Sequence, residues 1–184
     1  MGRSLMLYIA GKVVSGSSFG TTHWRDAFCD QLSELSGIQL THIDPTKIEQ
    51  DLSQPLLVFG ADAYAIKQSD VVVAYLSDDI SIGCSQEILI AKYYNKPVIG
   101  IAPAQGKFNR STKEFLGKKV KNYKNPFVMA TCDVVVETVR EAADALLNSK
   151  NIRPKTVDLI KEYALDFELN HAKKSTYLSK LLEL

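Results

Sequence analysis

Histidine and cysteine are scarce in this sequence, with three of each among 184 residues. Cys29, Cys84 and Cys132 are odd in number and widely separated, which argues against a disulfide framework and against zinc-ligand spacing. His23, His42 and His171 are scattered too, so no metal and no other cofactor is expected. The expected setting is the reducing cytoplasm. An excess of one charge is also lacking. A net charge of +1 leaves no electrostatic footprint for a nucleic-acid polymer or a membrane surface. The basic run at 107–124 reads as a solvated face. No apolar stretch approaches the roughly 20 residues that span a bilayer. The apolar part of MGRSLMLYIAG is too short for a signal peptide and runs straight into a strand pattern. Gly2 would suit myristoylation, but Met6 stands where that motif prefers a small hydroxyl residue. GSSFG at 16–20 is not followed by Lys-Ser/Thr, so it is no Walker A loop.

What remains is ordinary globular composition, 46% hydrophobic and 23% charged, in a length that suits one domain with an appendage. Apolar runs predict strands at 5–10, 38–43, 71–76, 98–102 and 127–130. Trp24, Phe28, Leu32 and Leu35 recur at helical spacing until Gly37, and further helices are expected at 56–67, 86–94 and 138–147. The segment 105–124 is expected to be a mobile loop with a short helix near 113–116. Strands alternating with helices predict an α/β fold, a doubly wound, mostly parallel five-stranded sheet of flavodoxin-like or Rossmann-like type. Arg153-Pro154 marks a boundary between a domain at 1–150 and a helical C-terminal extension at 151–184. That tail could dock on its own domain or on a neighbouring subunit.

In open α/β sheets, ligands bind just beyond the carboxyl ends of the strands. After the buried-looking run at 71–76 this position holds Ser77, Asp78, Asp79, Ser81, Gly83, Ser85 and Glu87. Tyr8 lies near the end of the first strand with Gly11 just beyond, and Asp62 falls in the helix before the third strand. Glu87 is expected at a helix start, where the dipole stabilises its anion by under about 1 kcal/mol. An ionised carboxylate can attack an anomeric carbon, and a second carboxyl group such as Asp62 can protonate the leaving group. Each residue also has a plain structural account. Glu87 would be a cap, Asp62 a solvated helix residue, Ser81 a loop former and Tyr8 ordinary core.

Order and spacing add to this. Tyr8-Ile-Ala-Gly11, then Asp62-x3-Ile66-x3-Asp70-Val-Val-Val, then Ser81-Ile-Gly83-Cys-Ser-Gln-Glu87-x3-Ala91 resembles the nucleoside 2-deoxyribosyltransferase superfamily across residues 5–103. The resemblance implies a nucleoside- or nucleotide-binding catalytic domain at 1–150. Glu87 would be the nucleophile that takes the sugar, Asp62 would handle the proton of the departing base, and Tyr8 would orient the glutamate. Gly11, Lys12, Asp79, Ser81 and Gly83 would line the substrate. The loop SIGCSQE is similar to that of the 2'-deoxynucleoside 5'-monophosphate N-glycosidases, with Ser81 where the transferases carry an aspartate. A serine can donate to a phosphate that an aspartate would repel. Thr112, with Ser111 beside it, falls where those hydrolases bring a hydroxyl from the adjacent subunit, which implies a homodimer or larger homo-oligomer with shared sites. Lys107, Arg110 and Lys113 could attract a phosphate there.

The chain departs from the hydrolases where Lys12, Val13 and Val14 replace their serine and arginine, and where Ser85 replaces a usual glycine. The implied activity is hydrolysis of the base–sugar bond of (deoxy)nucleoside 5'-monophosphates through a glycosyl-enzyme intermediate. Base exchange on free deoxynucleosides and nucleotide binding without turnover stand as alternatives.

Overall fold

The computed structural model describes residues 4–11, 24–49, 51, 53–76 and 81–183. Strand β1 (Ser4–Gly11) leads to α1 (Trp24–Ser36), β2 (Gln39–Ile43) and a 3-10 turn at Pro45–Lys47. Then come α2 (Pro55–Gln68), β3 (Val71–Tyr75), α3 (Ile82–Tyr93) and β4 (Val98–Ile101). A hairpin follows, of β5 (Asn109–Phe115) and β6 (Lys118–Lys124), then α4 (Pro126–Thr131), β7 (Val134–Val136) and α5 (Val139–Leu147). Helices α6 (Leu159–Asn170) and α7 (Thr176–Leu182) complete the described chain. No helix among the described residues is long and apolar enough to cross a membrane.

The central sheet is parallel throughout, in the order β2-β1-β3-β4-β7. From β1 the chain first builds outward to β2, then crosses back to place β3 on the other side of β1. The crevice between β1 and β3 is therefore the topological switch point, where ligands of such sheets bind. The alternation of side chains along β1 divides the core. Leu7 and Ile9 pack into one layer with Phe28 and Leu32 of α1 and Leu146 of α5, while Tyr8 and Ala10 enter the opposite layer with Ile66 of α2 and Ile88 of α3. Val72, Val73 and Ala74 are fully buried between these layers, which accounts for the unbroken apolar run of β3.

Three expectations are corrected. Residues 109–124 form a hairpin with its own two-stranded sheet, where a mobile loop with a short helix was expected over 105–124. Leu116 and Gly117 both have positive φ, at 50° and 72°, as the two central residues of a tight hairpin turn require. Both strands are largely exposed, so no apolar alternation marked them. Residues 127–130 belong to a helix, not a strand. Asn125 accepts hydrogen bonds from the amides of Phe127 and Val128, and Pro126 begins the helix, a favoured pairing of cap and first residue. The fifth strand of the main sheet is instead Val134–Val136. Finally, α3 begins at Ile82, well before residue 86, because the Ser81 hydroxyl accepts from the Cys84 amide at 3.0 Å and caps it.

A buried ion pair ties these pieces together. Lys92 of α3, fully buried, donates to Asp133, whose other contacts are the amides of Val98 at 2.7 Å and Lys155 at 2.6 Å. The Lys155 ammonium closes the end of α4 by donating to the carbonyls of Met129 and Cys132.

Candidate active site

Tyr8, Asp62 and Glu87 come from β1, α2 and α3, and they meet in the layer where these three elements pack on one another. Because α3 starts at Ile82, Glu87 lies in its second turn rather than at its first residue. The helix dipole expected to stabilise the Glu87 anion is thus offset by one turn. Burial decides its ionisation instead. Loss of solvent pushes the Glu87 carboxyl up to about 7, and the negative charge of Asp62 adds to this, while the Tyr8 hydroxyl and the Arg25 guanidinium pull it down. Asp62 is half-buried, and desolvation raises its pKa against the pull of Arg25. Two carboxyl groups thus sit within electrostatic reach of each other, both more proton-retentive than usual.

Tyr8 is wholly buried. Its hydroxyl makes no hydrogen bond of full geometry among the described residues, yet it stands near enough to Glu87 for the two to shift each other. Burial first, then the charges of Glu87 and Asp62, raise the Tyr8 phenol far above its ordinary range. It is held as a proton donor. Catalytic hydrogen bonds are often long in unliganded enzymes and tighten when substrate binds.

The loop side of the site is built around the start of α3. A methyl placed on Gly83 would stand 3.8 Å from Glu87 Oε1 and 3.8 Å from Ser81 Oγ, so all three groups share one small space. Absence of a side chain at Gly83 leaves the approach to Glu87 open. The Ser81 oxygen is committed as an acceptor to the helix cap, which leaves its proton for an acceptor on a ligand. The first-turn amides of α3, at Ile82 and Gly83, have no acceptor within the helix and favour an anion.

Arg25 underlies the whole arrangement, and sequence reasoning missed it. Pairing of β1 with β2 ends at Tyr8 and Ile43, so the Ile9 and Gly11 carbonyls have no strand partner on that side. Arg25 Nε donates to Ile9 O at 2.9 Å and Nη2 to Gly11 O at 2.8 Å. Its Nη1 lies 3.7 Å from Asp44 Oδ1. The guanidinium is 2% exposed, lies over the Trp24 ring, and lowers the pKa of Tyr8, Asp62 and Glu87 alike. A signal for it did exist. Arg25 falls at helical spacing with Phe28, Cys29 and Leu32 on the buried face of α1.

No family model matches the chain and no curated protein matches it in sequence. Solved structures do match. The 2-deoxyribosyltransferase from Bacillus psychrosaccharolyticus is 16% identical and superposes with a TM-score of 0.50 over 82% of this chain and 97% of its own. The 2-deoxyribosyltransferase from Leishmania mexicana is 18% identical, with a TM-score of 0.52 over 77% and 95% of the two chains. A CMP N-glycosidase from Clostridium botulinum matches at 15% identity over 77% and 97% of the two chains, with a TM-score of 0.41. This chain shares the fold of the 2-deoxyribosyltransferases.

Within that fold the expected residues divide into three groups. Tyr8, Asp62, Ser81, Gly83 and Glu87 converge as described. Gly11 has a packing role: a methyl there would come within 2.8 Å of the Trp24 ring, so the indole closes over the end of β1 only because position 11 is glycine. Lys12 and Asp79 lie outside the described residues. Ser111 and Thr112 are on β5, in the hairpin, which does not pack extensively on β1, α2 or α3 of its own chain. Cys84 is buried with its thiol pKa pushed up, which makes it a poor nucleophile. Asp26, His42 and Asp44 lie close enough to share an ion, but Lys47 holds both oxygens of Asp26 at 2.6 Å and Arg25 lies beside Asp44.

Proposed function

We propose that this protein is an enzyme that cleaves the N-glycosidic bond of a nucleoside 5'-monophosphate. The observation that carries the reading is the meeting of two buried-side carboxyl groups, Asp62 and Glu87, with the Tyr8 phenol at the switch point of the sheet. Ionised Glu87 attacks C1' as the bond from C1' to the base nitrogen breaks, and Asp62 gives the base a proton as it leaves. Water then attacks C1' of the glycosyl-enzyme ester and returns the Glu87 carboxylate, its proton passing to Asp62. The products are free base and sugar 5-phosphate. Tyr8 donates to Glu87 and steadies it as an anion in a desolvated place.

The hydroxyl of Ser81 and the first-turn amides of α3 suit a 5'-phosphate, with Thr112 of a second subunit completing its contacts. Residues 151–184 form an extension to the catalytic unit in this reading, and the protein works in the cytoplasm as a homo-oligomer. Shared fold with the two 2-deoxyribosyltransferases supports the same chemistry class and keeps base exchange on free nucleosides as the second reading. Mass spectrometry of protein quenched with each substrate tests the proposal. A glycosyl phosphate adduct on the peptide bearing Glu87 is expected with a monophosphate. An adduct only with free nucleosides favours transfer, and no adduct with either, where base is released, removes the covalent step. Ser81→Asp should shift preference from monophosphate towards free nucleoside by at least about tenfold in kcat/KM, since repulsion replaces a hydrogen bond.

A further inference from the structure

Among the described elements, the hairpin and α6 pack little on the rest of the domain. The hairpin at 109–124 carries six basic residues and one acid, and it packs extensively on no other described element. Its tip is apolar and in water: Phe115 is 58% exposed and Leu116 87%. Phe115 pairs with Lys118 and Lys113 with Val120, so one face of the ribbon carries Phe115 and Val120 with Lys113 and Lys118, the Lys113 ammonium lying over the Tyr123 ring. Helix α6 is the other element. It packs on the short turn that follows it and enters the domain chiefly through Leu159.

The rest of α6 has an apolar stripe of Ile160, Tyr163, Ala164 and Phe167, where Tyr163 is 57% exposed and Phe167 48%. Residues 158–170 hold four acids and one base. On a helical projection Asp166 borders the stripe on one side and Glu168 on the other, with Lys161 next to Glu168 and Glu162 turned to the far face. An apolar strip with an acid on each edge thus faces water in the same chain that exposes an apolar ribbon edged with lysines.

A 510 Å³ groove lies between the two, bounded by Ile88 and Leu89 of α3, Phe108 and Asn125 at the hairpin root, and Leu159 and Ile160 of α6. The surface from the hairpin through the groove to α6 is therefore continuous. We propose that the hairpin of one copy packs on the α6 helix of a second copy, and the reverse, in a two-fold contact. A two-fold contact brings each of these patches onto its complement twice, which a self-complementary interface demands. Stable association needs about 800 Å² from each partner, and a wholly exposed aromatic brings about 150–250 Å², of which about half is available at Phe115, Tyr163 and Phe167. Phe115, Leu116, Tyr163 and Phe167 with their neighbours supply a large part of that. The other hairpin face, with Arg110, Thr112 and Lys121, stays open in this arrangement. The contact does not rest on the catalytic reading.

The test is a charge exchange in the full chain, read by sedimentation velocity at low and at 0.5 M salt, a concentration at which screening acts within about 4–5 Å. Lys113→Glu with Lys118→Glu reverses the hairpin, and Asp166→Lys with Glu168→Lys reverses the helix. The wild type should be a dimer whose dissociation constant rises at least about tenfold in high salt, and each variant alone should be monomeric. Mixed, the two variants should recover a heterodimer, because both of its contacts then pair opposite charges. Recovery on mixing also shows that each variant is folded. A monomeric wild type at about 10 μM, or variants that assemble as the wild type does, would overturn the proposal. So would two folded monomeric variants, checked by circular dichroism, that fail to associate when mixed.

Discussion

Replacing Tyr8 with phenylalanine perturbs the site by one oxygen atom, and its consequence follows from the electrostatics. The Glu87 carboxyl has a pKa of about 7 because burial and Asp62 push it up further than Tyr8 and Arg25 pull it down. As the proposed nucleophile Glu87 must be ionised, so the acidic limb of kcat/KM should rise with pH through about 7, and loss of the Asp62 proton sets a separate alkaline limb. Removing the phenol takes away a donor to the charged form. A hydrogen bond to a charged group contributes about 1.5–3 kcal/mol, and one pKa unit is about 1.4 kcal/mol. Full loss would lift the limb by about one to two units. The open geometry at Tyr8 in the unliganded protein favours the lower end. An increase of about one unit leaves roughly a tenth of Glu87 ionised at pH 7 in place of about half. Activity should then fall about fivefold at pH 7 and recover most of this loss by pH 9. The assay is base release from pH 5 to 9, fitted for the acidic limb of kcat/KM. An unmoved limb, or an equal loss at every pH, would refute the electrostatic role given to Tyr8.

Glu87→Gln should alter stability in a pH-dependent way. The folded protein holds the Glu87 proton more tightly than the unfolded chain, so its contribution is fully present below the unfolded pKa of 4.5 and is lost as pH rises through about 7. The variant should therefore gain at least about 2 °C in Tm over the wild type at pH 8, with no such gain at pH 4.5; calorimetry at both values decides. Arg25→Met should raise the acidic limb as well, since a positive charge that lowers the Glu87 pKa is gone. It also strands the Ile9 and Gly11 carbonyls and Asp44, so about 3–5 kcal/mol of stability should go with it in urea unfolding. Lys92→Met leaves Asp133 buried without its cation and should cost about the same amount, but with the pH profile unchanged, because Lys92 plays no part in the electrostatics of Glu87.

The sheet was legible where strands are buried on both faces. Residues 71–76 and 98–102 show unbroken β-branched and small apolar runs, and the structure puts β3 and β4 at the centre of the sheet. The fifth strand was misplaced because Val134–Val136 spans three residues between Asp133 and Glu137, while Phe127 and Val128 nearby look more strand-like than they are. Pairing with β4 selects the shorter run. The hairpin was illegible for another reason. Its strands stand in solvent, so burial imposed no alternation, and the Leu116-Gly117 turn lacks the asparagine or aspartate that usually announces one.

At the site, the spacing of Tyr8, Asp62 and Glu87 was readable as a pattern, and the fold brings the three together. The position of Glu87 within its helix was not readable, because the small residues of SIGCS look like loop until Ser81 is seen to cap them. Arg25 escaped notice because a charge next to Trp24 passes for a solvated helix residue. Only the early end of β2 reveals the carbonyls that draw it inward.

We propose that Glu87 drives cleavage of the bond between base and sugar. The most direct test is incubation of the purified protein with each ribo- and deoxyribonucleoside 5'-monophosphate, with free base measured by chromatography. Free base from at least one monophosphate, with turnover reduced at least about a thousandfold in Glu87→Gln and binding retained, is the expected result. Undiminished base release by Glu87→Gln, or no release from any monophosphate by the wild type, would contradict it.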